Sequence, residues 1–236
     1  MAEGLPESVW EEVLDSMRRV AACYERANSV MSFGLSSRMR RALLEMVPLP
    51  PGARVLDAGC GPGEMSVAVA RLLPQSSTLY LLDPLREMVE SARSRVAGLV
   101  RTVPLVGTFE DIPLDDGSVD VVLASYSLRD ARDRRRALSE FRRVLRPGGA
   151  LGVVEVTRPD GRTASALAGL YVRLVAPALA VLVTGRLDCP WRCLHKTFRE
   201  MWTSSELVLE VSRLFRVVGV RRRALGVFTA VAAVKV

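Results

Sequence analysis

The most constraining feature of this sequence is an apolar run that stops in a glycine-rich turn and restarts as a helix. Val55-Leu56-Asp57 leads into Gly59-Cys60-Gly61-Pro62-Gly63, and Glu64–Leu73 then carries apolar residues at helical spacing. Glycines this close together belong where the backbone takes left-handed turns or approaches a ligand. The pattern then repeats. Strands are expected at Arg54–Asp57, Leu79–Asp83, Thr102–Val106, Val119–Ser125 and Ala150–Thr157, and helices at Arg86–Val96 and Ala131–Leu145. Strands alternating with helices must pair in parallel, because a parallel neighbour is reached only through a crossover. The chain closes differently. A helix at Ser204–Leu214 precedes Val217–Ala224 and Val227–Lys235, whose tight junction at Leu225-Gly226 forces antiparallel pairing. The expected fold is α/β: a doubly wound, mostly parallel sheet with an antiparallel C-terminal hairpin and helices on both faces.

The 236 residues suffice for one well-buried domain. Residues 1–50 read as an N-terminal helical lid segment and 51–236 as the main domain. Residues 159–203 do not fit the alternation and read as an inserted apolar helical lid. Its core, ALAGLYVRLVAPALAVLVTG (Ala166–Gly185), is interrupted by Arg173 and Pro177, leaving too short a clean run to span a membrane. A buried helix pair is expected, with an interfacial, lipid-facing segment as the alternative. The acidic start, MAEGLPESVWEE, is no signal peptide, so a cytoplasmic location is the default. Cys23, Cys60, Cys189 and Cys193 form no CxxC pair and His195 is the only histidine, so no metal site is expected. The net charge of +7 is carried almost wholly by arginine. That bias reads equally as genome composition or habitat, or as attraction to an anionic partner. Aromatic residues are 6% and lie mostly away from the arginine runs, so no nucleic-acid partner is expected. The arginine-rich stretch RDARDRRRALSEFRR reads first as a solvated helix face.

The turn also narrows the ligand. Its glycines are spaced G-x-G-x-G, one residue short of the dinucleotide fingerprint G-x-G-x-x-G. Asp57 before the turn and Glu64 in the first helical turn repel a phosphate but suit an ammonium group. Twenty residues beyond Gly63, Asp83 ends a strand where an acid can accept hydrogen bonds from ribose hydroxyls. A ligand with a ribose and an amino-acid tail but no phosphate is S-adenosyl-L-methionine. The plainer alternative is a tight turn, with Asp83 capping the next helix ahead of Pro84.

Four further segments carry a resemblance. YERANSVMSFG (Tyr24–Gly34) is similar to Y-D-x-M-N-x-x-[LIVM]-S, and RVLRPGGALGVVEVT (Arg143–Thr157) to R-V-[LM]-K-P-G-G followed by E-x-S. SYSLRD (Ser125–Asp130) is similar to S-F-G-x-R-N, and WRCLHKTF to Y-x-Y-L-x-x-S-I. Together they resemble the ubiquinone/menaquinone-biosynthesis C-methyltransferases (UbiE/MenG type) of the Rossmann-like class I methyltransferases, whose sheet has seven strands. The resemblance implies that Gly59, Gly61, Pro62 and Gly63 line the cofactor beside Asp57, with Asp83 on the ribose. It further implies Thr108 and Phe109 beside the adenine, Ser125 near the methionine part, and Tyr24 and Ser32 closing over the cofactor. Glu25, Ala27, Ser36, Met39, Thr108, Ser127 and Asp130 depart from the family pattern, mostly on the acceptor side.

A prenylated quinol of the demethylmenaquinol type is the acceptor the resemblance implies. Another small-molecule or lipid acceptor, methylated on oxygen or nitrogen, remains the alternative. Loss of a phenolic proton makes the quinol ring carbon nucleophilic, and the anion and sulfonium neutralise one another in a dry pocket. Arg129 stays protonated, so it is expected to stabilise the quinolate, or else to make a salt bridge to Asp130 or Asp133. Asp130 is the candidate base, with Tyr24 and Glu25 as weaker ones. His195 falls at an unspecified position of its segment, and a surface or packing role is expected. The apolar insert would admit the prenyl chain from a membrane surface, with the arginines held against anionic headgroups as a peripheral contact. A homodimer is left open.

Overall fold

A computed structural model of the chain describes residues 4–20, 24–185 and 192–236. Seven strands, β1 (Arg54–Ala58), β2 (Thr78–Asp83), β3 (Arg101–Val106), β4 (Val119–Ser125), β5 (Leu145–Val156), β6 (Arg216–Arg223) and β7 (Phe228–Val234), form one sheet in the order 3-2-1-4-5-7-6. Strands β1 to β5 pair in parallel, while β7 runs antiparallel to both β5 and β6. The central strands are continuous apolar runs because a parallel sheet is covered on both faces; Val55, Leu56, Val122 and Leu123 are fully buried.

The described helices are α1 (Glu7–Val20), α2 (Tyr24–Met31), α3 (Leu35–Leu44), α4 (Glu64–Ala70), α5 (Arg86–Arg95), α6 (Arg134–Val144), α7 (Arg162–Leu170), α8 (Ala176–Thr184), α9 (Arg192–Glu200) and α10 (Ser204–Ser212). In α6, Ala137, Leu138, Phe141 and Val144 recur at helical spacing and are buried, and Asp133 caps the first turn by accepting from the Arg136 N–H. A reciprocal capping box, Thr203 with Glu206, starts α10.

Three expectations need correction. The helix expected from Ala131 starts at Arg134, because Asp133 caps it and Leu128–Asp130 form a separate 3-10 turn. Leu145 opens β5 instead of ending α6, since Leu145 pairs with Val119, and Gly148 and Gly149 exchange backbone bonds with Lys235. The helix face expected to be solvated is partly interior. Arg134 is fully buried over the Trp202 ring, and Arg143 and Arg135 pair with the buried Glu140 and Glu210.

The inserted segment also differs from its expected form. Pro177 does not break it: α7 and α8 join through a π-helical turn at Tyr171–Val175, and the change of winding just before Pro177 accommodates the N–H that proline lacks. By length and composition, Arg162–Val183 could cross a membrane, and only 17% of its most apolar window is buried. One edge packs on α2, with Ala176 and Ala180 against Ala27 and Met31. The opposite edge presents Leu167, Leu170, Leu174 and Leu182 to the outside, so this is not the buried pair expected. Helix α1 packs on α9, and α3 lies across β5 and β7. The N-terminal and inserted helices therefore meet over the carboxyl edge of the sheet.

Candidate active site

Two adjoining cavities open at that carboxyl edge, where ligands bind in doubly wound sheets. The first lies over the turn that follows β1. Gly59 has φ +70, and a Cβ there would stand 2.5 Å from Cβ of Ser127 and 2.7 Å from the ring of Phe109. Gly63 has φ +100, and its Cβ would stand 2.8 Å from the backbone of Ala92 on α5. The glycines thus let the turn sit against Phe109, Ser127 in the turn after β4, and α5, while Gly61 faces open space.

Asp83 at the end of β2 is held by two backbone donors: the Gly61 N–H reaches Oδ2 at 2.9 Å and the Leu85 N–H reaches Oδ1 at 3.0 Å. Burial, with Glu87 and Asp130 nearby, raises its carboxyl to about 6. Asp57 lies beneath the turn, fully buried. Its Oδ2 accepts from Ser66 Oγ at 2.5 Å, and its Oδ1 meets no hydrogen-bond partner among the described residues. Burial pushes Asp57 up to about 7, and burial with Asp57 and Asp83 pushes the Cys60 thiol well up.

Gly59, Gly61, Pro62, Asp83, Phe109, Ser125 and Asp130 line this cavity, joined by Trp10 of α1, Met88 of α5 and Arg40 of α3. Gly63 stands just behind the wall, packed on α5. Thr108 is off the wall as well, its hydroxyl 3.5 Å from Arg132 Nη2. The Tyr24 side chain, Cys23 and Cys189 lie outside the described residues, as does the start of the WRCLHKTF segment. Cys60 is a buried free thiol. His195 is half-buried on α9, its imidazole kept below its usual range by burial and by Arg173 and Arg199.

The second cavity is apolar and encloses about 610 Å³ counting its mouth. Met31, Val156, Val172, Leu194 and Phe228 line it, with Tyr171, Ser32 and Arg129. Ser32 therefore stands away from the first cavity, its hydroxyl donating to Ser36 Oγ at 3.0 Å. Tyr126 borders both cavities. Its backbone is in the left-handed region (φ +58), and its hydroxyl donates to the Ser36 carbonyl at 3.0 Å.

Arg129 is nine-tenths buried and reaches both Asp130 (3.3 Å) and Glu155 (3.2 Å). Its N–H also donates to Glu155 Oε2 at 3.2 Å. The salt bridge expected to Asp130 is present; the partner in β5 was not anticipated. Burial raises both carboxyls, and the Arg129 charge opposes that rise. Asp130 and Arg129 thus meet as an ion pair, yet they line different cavities.

Arg40 is the other residue missed. It falls on the buried face of α3 with Ser36, Met39 and Leu43, and an arginine on an apolar face was the signal. Its Nε donates to Ser125 Oγ at 3.3 Å, and its guanidinium stands 5.3 Å from the Tyr126 ring centroid.

Comparison with known proteins identifies the lineage. The model of the ubiE/COQ5 methyltransferase family matches residues 6–234. The chain belongs to this family. A Ubiquinone/menaquinone biosynthesis C-methyltransferase UbiE of Geobacter sulfurreducens is 31% identical over 175 residues, covering 73% of this chain and 68% of that protein. Its namesake in Shewanella frigidimarina is 31% identical over 179 residues, covering 75% and 71%. Among solved structures, a SAM-dependent methyltransferase from Aquifex aeolicus superposes with TM-score 0.60 at 21% identity, covering 84% of this chain and 89% of that one. An arsenic(III) S-adenosylmethionine methyltransferase from Chlamydomonas reinhardtii does so with TM-score 0.52 at 19% identity, covering 83% and 72%. These two likenesses report the shared fold.

The protein is an S-adenosyl-L-methionine-dependent methyltransferase. The first cavity fits that cofactor. It offers an open glycine turn, an acid at the end of β2, the flat Phe109 ring, and both acidic and basic side chains to meet a zwitterionic tail.

Proposed function

We propose that this enzyme methylates a ring carbon of a prenylated quinol, in the biosynthesis of menaquinone or ubiquinone. The observation that carries the reading is the pair of cavities sharing Tyr126: one with several charged side chains beside the glycine turn, one apolar with a single buried cation, among the described residues, on its wall. The names of the curated relatives support it. When bound, the cofactor supplies an electrophilic methyl group on a sulfonium. The chain's own residues do the rest. Gly59, Gly61, Pro62 and Asp83 seat the nucleoside, with Phe109 on the base. Ser125 holds the methionine side, and Gly63 and Asp57 shape the turn from behind.

Arg129 stabilises the quinolate oxygen. A guanidinium cannot take the phenolic proton, but a pre-oriented cation in a dry cavity lowers the cost of its loss. Glu155 fixes the Arg129 fork, and Asp130, ion-paired with it, is the acceptor through which the proton leaves. Residues 1–50 and 159–203 supply the lid, with Ser32 on the wall of the apolar cavity, and Thr108 stands behind the cofactor wall against Arg132. The exposed leucines of α7 and α8 rest on the membrane surface that delivers the prenyl chain, as a peripheral contact.

The test is transfer of a labelled methyl group to reduced, prenylated quinones lacking the ring methyl, presented in lipid, with mass spectrometry locating the label. Label on the ring carbon is the expected result. Cofactor binding without transfer to any quinol would retire the quinol and send the search to other lipid or small-molecule acceptors. Arg129→Met should lower kcat roughly 100- to 1000-fold while leaving cofactor affinity within about threefold.

A further inference from the structure

The first cavity is asymmetric in charge. Glu64, Asp83 and Asp130 lie on its wall, whereas Arg40 is the one cation among the described residues that line it. The cofactor tail is zwitterionic: the acids suit its ammonium group, but its carboxylate needs a donor that they cannot provide. Arg40 is 5% exposed and comes from α3, outside the glycine turn and its neighbouring strands. It is anchored where the methionine part would lie, its Nε on Ser125 Oγ at 3.3 Å and its fork beside the Tyr126 ring. It also lowers the Asp57 carboxyl beneath the turn, so its charge is felt at the amino-acid end of the cavity. A buried guanidinium on the cavity wall is the residue type that binds a carboxylate through two parallel hydrogen bonds.

We propose that Arg40 is the carboxylate-binding residue of the cofactor site, delivered by the N-terminal segment onto a pocket otherwise built by the sheet. This rests on the cofactor assigned above. It makes recognition of the amino-acid tail dependent on docking of α3, which the Tyr126 hydroxyl also ties down through the Ser36 carbonyl. The adenosine half, by contrast, is read by the sheet's own loops.

Calorimetric titration of the full chain with two ligands separates the halves. S-adenosylhomocysteine carries the amino-acid tail, and 5′-methylthioadenosine shares the nucleoside and thioether but has no carboxylate. Arg40→Met should weaken S-adenosylhomocysteine roughly 10- to 100-fold, the range of a charge-assisted hydrogen bond, and leave methylthioadenosine within about twofold. Arg40→Lys keeps a point charge and should lose less than Arg40→Met. Methylthioadenosine also serves as the folding control. Equal loss of both ligands, or no loss of either, would overturn the proposal. Wild-type protein that binds neither ligand would overturn the cofactor reading and the Arg40 assignment with it. Should the variants fail to fold, the wild type itself decides. It should prefer S-adenosylmethionine over its decarboxylated form by about tenfold or more, and equal affinity would refute the role of Arg40.

Discussion

Asp57 and Asp83 show how one turn of chain gives two carboxylates different work. Asp57 rises from 3.8 to about 7 because burial disfavours its charge. A carboxyl raised on folding contributes stability that is full below its unfolded value and is lost as pH rises through the folded one. The cofactor-free protein should therefore lose stability between about pH 4 and pH 7, with a limiting slope near 1.4 kcal/mol per pH unit from this residue. Asp57→Asn should flatten that slope; thermal melts of the two proteins across pH 4.5–8 would measure it, and parallel curves would disprove the assignment. In the proposed site Asp83, raised to about 6, would have to be ionised to accept from both ribose hydroxyls. Affinity for S-adenosylhomocysteine should accordingly fall below pH 6, by up to about tenfold per unit, and Asp83→Asn should abolish most of that dependence along with most of the affinity. That the glycines, Asp57 and Asp83 come together at the turn after β1 was legible from their spacing. That Asp57 sits beneath the turn and Thr108 off the wall was not, because spacing along a chain does not say which side of a loop a side chain takes.

At the scale of elements, contacts between loops and helices decide most. Gly63 lets α4 start against α5, and a Cβ there would meet the Ala92 backbone at 2.8 Å in a conformation that L residues rarely adopt. Gly63→Ala should cost on the order of 1–3 kcal/mol and lower the melting temperature by several degrees. A variant as stable as the wild type would mean the two helices part easily. The Arg129–Glu155 pair spans the turn after β4 and the end of β5. Removing Glu155 leaves the buried Arg129 charge to Asp130 alone, so Glu155→Gln should destabilise by about 1–3 kcal/mol and reduce kcat along with stability. Denaturant unfolding beside single-turnover rates would separate the two effects. Glu155 belonged to a recognisable segment, but its partnership with Arg129 joins positions 26 residues apart and is set by the parallel register of β4 on β5.

Across the whole molecule, the N-terminal and inserted helices meet over the sheet and present an apolar stripe outward. Leu167, Leu170, Leu174 and Leu182 are all more than half exposed along one helical run, on a chain of net charge +7. Binding to vesicles of anionic lipid should weaken as salt is raised, and a Leu170→Glu/Leu174→Glu double variant should bind at least tenfold less while melting within about a degree of the wild type. Vesicle cosedimentation reads the first effect and a thermal melt the second. Undiminished binding by the double variant would place the membrane contact elsewhere.

The alternation of apolar runs, the G-x-G-x-G turn with its flanking acids and the closing hairpin were enough to derive the sheet and the cofactor class, because they are local patterns that backbone chemistry permits in few ways. The continuous helix through Pro177, the buried Arg134 and Arg129, and the arrival of Arg40 beside the glycine turn were decided by tertiary packing alone. Each depends on what the fold brings against a residue from far along the chain. A π-helical turn absorbs the proline, a tryptophan ring covers one arginine, and Glu155 neutralises another. Periodicity ranks a residue as inside or outside; only its partners determine whether a charge inside is tolerated, and which ligand it faces.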